Sequence, residues 1–105
     1  MLERTLVAVM GEFGRTPRIN AAAGRDHWNF CYSLLLAGGG LKGGFVHGAS
    51  DRIGGRPSRS PVTPGDVVAT LYHCLGINPS LELHDKLSRP FTLVPWGSPL
   101  EDLLA

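Results

Sequence analysis

The sequence predicts an α/β chain with a mostly parallel sheet, on three observations. Two short apolar runs, residues 5–10 (TLVAVM) and 31–37 (CYSLLLA), are continuous rather than alternating, which is the pattern of strands covered on both faces. A glycine-rich turn at 38–44 (GGGLKGG) follows the second run. A helix with both a start and a stop signal comes next, and strand, turn and helix in this order make an α/β unit.

Residues 5–10 give the first strand. The stretch 9–30 (VMGEFGRTPRINAAAGRDHWNF) is polar and much longer than the handful of residues that most connections need. It reads as a loop beyond a strand end, where ligands of open α/β sheets gather, and is therefore the leading candidate site. Residues 31–37 give the second strand, and the glycines at 38–44 permit positive φ before a short strand at 45–47. The segment up to Pro61 is rich in turn residues and reads as surface loop. Thr63 then stands as N-cap, Pro64 as first helical residue and Asp66 three residues after the cap, where a carboxylate favours the helix start. Val67, Val68, Leu71, Tyr72 and Leu75 fall at helical spacing as one apolar face, and Gly76 is placed to end the helix. Residues 78–95 read as a turn and an extended segment with a strand at 91–94. The start signal recurs in SPLEDLLA, where Ser98, Pro99 and Glu101 precede Leu103 and Leu104, predicting a short last helix. With one substantial helix to cover two such strands, this chain alone should leave sheet face or edge exposed.

A chain of 105 residues is one domain at most. Its hydrophobic content of 43% and net charge of +1 describe a globular chain and point to no nucleic-acid partner. No apolar run approaches the ~20 residues of a membrane helix. The first ten residues include Glu3 and lack a small-residue cleavage site, so the signal of an exported protein is expected elsewhere. Cys31 and Cys74 are too few for a disulfide framework and read as buried thiols, with a bridge between them as the alternative in an oxidising compartment.

Within 9–30, Glu12 supplies oxygen and His27 nitrogen, while Asp26 either ligates a metal or holds the histidine ring by a hydrogen bond. Arg15, Arg18 and Arg25 surround these groups. Guanidinium groups bind phosphate or sulfate oxygens through paired hydrogen bonds, and the plainer reading is ion pairing with Glu12 and Asp26. Arg52, Arg56 and Arg59 read as a solvated edge, and His47, His73 and His84 have no partner spacing that singles them out. There is no Gly-x-Ser-x-Gly elbow, P-loop or Cys-x-x-Cys pair, and Ser33, inside a strand, is a poor nucleophile.

The strings GEFGRTP and GRDHW, the turn LLLAGGGLKGG and the helix PVTPGDVVATLYHCLGINP together resemble the C-terminal part of domain of unknown function 1501, a bacterial family related in fold to the alkaline phosphatase and sulfatase superfamily. The resemblance implies that residues 1–105 are a single C-terminal segment of a larger alkaline phosphatase/sulfatase-like sandwich with a mostly parallel sheet. In that superfamily a buried strand ends in an Asp-His-Gly turn that supplies metal ligands, and a further histidine lies downstream. Glu12 and Gly14 match the acid and glycine of the turn, and His27 matches the later histidine, whereas Phe13 stands where the turn's histidine would be. The implied metal ligands are Glu12 and His27, with Asp26 as the further candidate read from the residues, the cofactor is a divalent ion such as zinc or calcium, and Arg15 is the candidate oxyanion contact.

The implied function is the C-terminal portion of a metal-dependent hydrolase of phosphate or sulfate esters. The nucleophile comes from the missing N-terminal portion of the same protein, and the substrate is an anionic small-molecule or polysaccharide ester. The full-length protein would be periplasmic or secreted. The alternative is a non-catalytic binding or interaction module that keeps the fold without a complete metal centre, and Phe13 is the residue that favours it.

Overall fold

The computed structural model describes residues 1–105. It divides into two compact units, one built from Met1–Leu6, Ala37–Phe45 and Val62–Ala105, the other from Val7–Leu36 and Val46–Pro61. In chain order the strands are β1 (Leu6–Val9), β2 (Gly14–Arg15), β3 (His27–Trp28), β4 (Leu35–Gly38), β5 (Ala49–Ser50) and β6 (Pro57–Arg59); helix α1 (Pro64–Cys74) follows, then β7 (Glu82–His84) and β8 (Pro90–Thr92). Single 3-10 turns lie at Leu2–Arg4 and Glu101–Leu103.

The expected α/β fold with a mostly parallel sheet is not what these residues form. The strands make four two-stranded sheets, β1 with β4, β2 with β3, β5 with β6 and β7 with β8. The pairs β2–β3, β5–β6 and β7–β8 are antiparallel hairpins. Parallel pairing needs a crossover connection of a dozen or more residues, usually a helix, and the one helix here follows six of the eight strands. A continuous apolar run identifies a strand but not its partner. Nor are the two runs covered on both faces, since Val9 and Leu35 are 60% and 55% exposed. The second run becomes strand only from Leu35, the expected strand at 45–47 is replaced by β5, and the strand expected at 91–94 is β8.

In the first unit α1 begins and ends as its local signals dictate. The Thr63 hydroxyl accepts from the Asp66 amide at 3.2 Å, and the Asp66 carboxylate accepts from the Thr63 amide at 2.8 Å, closing a reciprocal capping box. At the other end Gly76 takes φ +75°, and the amides of Gly76 and Ile77 reach back to the carbonyls of His73 and Tyr72, both at 2.9 Å. These bonds satisfy carbonyls the last turn would otherwise leave open.

The buried side of α1 shares Val67 with the predicted face but not Val68 or Leu75. Val67, Ala69 and Thr70 are buried, whereas Leu75 is 66% exposed. The reason is the C-terminal segment, which lies along Asp66 and Thr70. The Ser98 amide donates to the Asp66 carboxylate at 3.0 Å, and the Leu100 amide donates to the Thr70 hydroxyl at 2.9 Å. That hydroxyl in turn donates to the Asp66 carbonyl at 2.7 Å. Ser98 therefore caps nothing: its neighbourhood is tied sideways to α1, and only the 3-10 turn Glu101–Leu103 forms where a last helix is expected. Cys31 and Cys74 are both free thiols, and burial raises the pKa of Cys74.

Candidate functional site

The second unit holds the residues singled out between Val9 and Phe30. What reads as one long loop is a hairpin, with Gly14 opposite Trp28 and Arg15 opposite His27. The Thr16 amide continues the ladder to the Asp26 carbonyl at 3.0 Å. At the tip the Asn20 side-chain oxygen accepts from the amides of Ala22 and Gly24, each at 3.0 Å, which fixes a tight turn. Because successive side chains of a strand point to opposite sides, the hairpin has two faces with different duties.

One face anchors. Gly14 is buried, and a Cβ there would collide with the carbonyl of Cys31 and lie 2.9 Å from the Tyr32 Cβ. Trp28 packs edge-on to Phe30 with ring centroids 4.8 Å apart, and its indole N–H donates to the Gly55 carbonyl at 2.8 Å. Gly55 sits in a loop organised by Asp51, whose carboxylate accepts from the amides of Gly55, Ile53 and Arg56 at 2.8, 3.2 and 3.1 Å. The Gly55 bond is the largest cause that holds the Asp51 pKa below its ordinary value, against a smaller opposing effect of burial. Arg56 is exposed, as the solvated-edge reading expects, and its guanidinium also lies over the Phe30 ring at 4.1 Å from the centroid.

The other face presents Phe13, Arg15 and His27. The Phe13 and His27 rings are stacked, 3.9 Å between centroids with planes 29° apart, and the Arg15 guanidinium lies over Phe13 at 5.2 Å. Arg15 and His27 are both exposed. The expected ion pairs of the arginines with Glu12 and Asp26 do not form. Arg15 donates to the Arg25 carbonyl at 3.2 Å, and Arg25 donates to the carbonyls of Thr16 and Pro17 at 2.9 and 3.0 Å. Arg18 is exposed.

These residues fall within a match to the family described as protein of unknown function (DUF1501), which covers residues 1–104. The chain belongs to the DUF1501 family. Neither a curated protein nor a solved structure matches it.

In this DUF1501 chain the expected metal set does not assemble. Nowhere are three His, Cys, Asp or Glu groups placed to hold a metal ion. Asp26 and His27 are consecutive on an extended segment, so their side chains diverge, and the Asp26 carboxylate accepts instead from the Asn20 amide group at 3.1 Å. It braces the hairpin tip and does not orient the histidine ring. Glu12 is exposed on the turn between β1 and β2. The neighbour His27 does acquire is the Phe13 ring, which has no donor atom for a metal, and its register partner is the cationic Arg15. Glu12, Asp26 and His27 thus do not fit a metal centre made by this chain, and what the exposed face offers is hydrogen-bond donors. Phe13 was legible only as a missing histidine. Its place beside Arg15 and His27 carried no signal in the sequence, because Phe13 stands at a bend just before β2.

Proposed function

We propose that this chain supplies the oxyanion-recognising portion of a hydrolase acting on phosphate or sulfate esters, with Arg15 as the contact to the ester's charged oxygens. The observation that carries this reading is the cross-strand pair of Arg15 and His27 on an exposed face, with no carboxylate paired to either. A guanidinium has five N–H donors, and Arg15 spends one of its nitrogens on the Arg25 carbonyl, leaving others for the paired contact that phosphate and sulfate favour. His27 adds an imidazole donor beside it. Arg15 would bind and orient the anionic ester and offset charge that builds on its oxygens as the bond to the leaving group breaks. The nucleophile in this reading comes from the N-terminal portion of the same protein, and the substrate is an anionic small-molecule or polysaccharide ester.

The test is hydrolysis of 4-nitrophenyl phosphate and 4-nitrophenyl sulfate by the full-length protein. Arg15→Ala should lower kcat/KM for the ester it cleaves by about 100-fold or more, the scale seen when one charge-stabilising donor is removed. Turnover of either ester that is indifferent to Arg15→Ala removes the reading. The stacked Phe13–His27 pair favours a second one, a non-catalytic binding module, because it engages the imidazole without any metal set around it. That reading predicts saturable phosphate or sulfate binding with no turnover of either ester.

A further inference from the structure

We infer that Phe13 is a positioning residue of the anion site, its ring acting as the platform that holds Arg15 and His27 together; this rests on the oxyanion reading of the same face. Three facts converge on it. Phe13 stands at the bend just before β2 and Arg15 is the register partner of His27, so the ring's own contacts, not strand spacing, group the three residues. The ring stacks on the His27 imidazole at 3.9 Å and lies under the Arg15 guanidinium at 5.2 Å. Neither Arg15 nor His27 is held by a carboxylate, although both are exposed.

Arg15 and His27 are exposed donors on neighbouring strands, and the Phe13 ring contacts both. An exposed arginine also samples many rotamers, only some of which face its neighbour. The face of an aromatic ring is the negative end of its quadrupole and attracts a guanidinium, and a ring can also stack on an imidazole. One phenyl ring can therefore restrain both groups without neutralising either, which a carboxylate in its place would do. Cross-strand side chains start about 4.5–5.5 Å apart at Cβ, close enough for two oxygens of one tetrahedral oxyanion to meet both donors. The absence of donor atoms on Phe13, a deficit for a metal site, is what suits it to this one.

The experiment is isothermal titration of the full-length protein with inorganic phosphate and, separately, inorganic sulfate, with thermal midpoints recorded for each variant. Phe13→Leu should weaken the bound anion by about five- to thirty-fold, the loss of one exposed cation–π contact and one ring stack, while Phe13→Tyr, which keeps the ring face, should bind as the wild type does. Phe13→Met serves as a second aliphatic variant, and the midpoints of the folded variants should agree. If Phe13→Leu and Phe13→Met bind as tightly as wild type, or if Phe13→Tyr is as weak as they are, the positioning role is overturned while the anion site stands. If both aliphatic variants fail to fold, Phe13 belongs to the fold and the inference is also overturned. If wild type binds neither anion, the oxyanion reading falls, and this inference with it.

Discussion

The indole N–H of Trp28 donates to the carbonyl of Gly55 at 2.8 Å, and this bond fastens the β2–β3 hairpin by one face while the other is left to Phe13, Arg15 and His27. Trp28→Phe keeps a ring beside Phe30 but removes the only donor that reaches Gly55. The part-buried carbonyl then loses its partner, and the expected destabilisation is ~1–2 kcal/mol by denaturant titration. An unchanged midpoint would show that the bond does not hold the hairpin.

Gly14 allows no side chain. A Cβ at this position meets the Cys31 carbonyl and the Trp28 carbonyl, and main-chain atoms cannot swing aside as a side chain can. Gly14→Ala should therefore destabilise the protein by ~1–3 kcal/mol, the range for overpacking, and should do so more than the exposed substitution Arg18→Ala. Equal midpoints for the two variants would contradict the packing described.

Thr63 and Thr70 act at successive turns of α1 and should differ in consequence. Thr63→Ala removes an N-cap and should lower stability by ~1 kcal/mol. Thr70 is fully buried, and its hydroxyl joins the Asp66 carbonyl to the Leu100 amide. Thr70→Val keeps the volume but strands that amide, with an expected loss of ~1–3 kcal/mol and faster amide hydrogen exchange at Leu100. Protection at Leu100 that survives the substitution would dissociate the C-terminal segment from α1.

Acid should weaken the fold through Asp66. Burial acts to raise its pKa, but the hydrogen bonds from the Thr63 hydroxyl, the Ser98 amide and the Thr63 amide together outweigh it and hold the carboxyl below its ordinary value. Asp85 is lowered as well, by the Arg89 amide first, against burial, and then by the Arg89 side chain and the Leu87 amide. A carboxylate whose folded pKa is depressed stabilises the fold above its unfolded value of about 3.9, and the contribution is lost as pH falls through the lower folded value. Stability should thus be level near neutrality and decline below about pH 4. Asp66→Asn should make that decline shallower, and an equally steep acid limb in the variant would exclude Asp66 as a cause.

Helix α1 was legible because its signals are local. Thr63, Pro64, Asp66 and Gly76 each act within a few residues of themselves, and all four take their predicted places. Val67 was legible as buried, but Thr70 was not, because its burial depends on Ser98 and Leu100 bonding to Asp66 and Thr70 some thirty residues away. Sheet direction failed for the same reason: continuous apolar runs announce strands, but pairing is decided by which backbones meet. The hairpin escaped notice because its strands are only two residues long and no periodicity survives at that length. The polar character of 9–30 marked the stretch that forms the β2–β3 hairpin. Which of its residues share a face came only from the register of Arg15 with His27.

The most direct test of the central claim is a phosphate titration followed by NMR on the Arg15 side-chain N–H and the His27 imidazole in the full-length protein. Both sets of resonances should shift together and saturate with one dissociation constant, and Arg15→Ala should abolish the His27 shift. Signals of Arg15 and His27 that stay still through the titration, or a His27 shift that persists in Arg15→Ala, would contradict that claim.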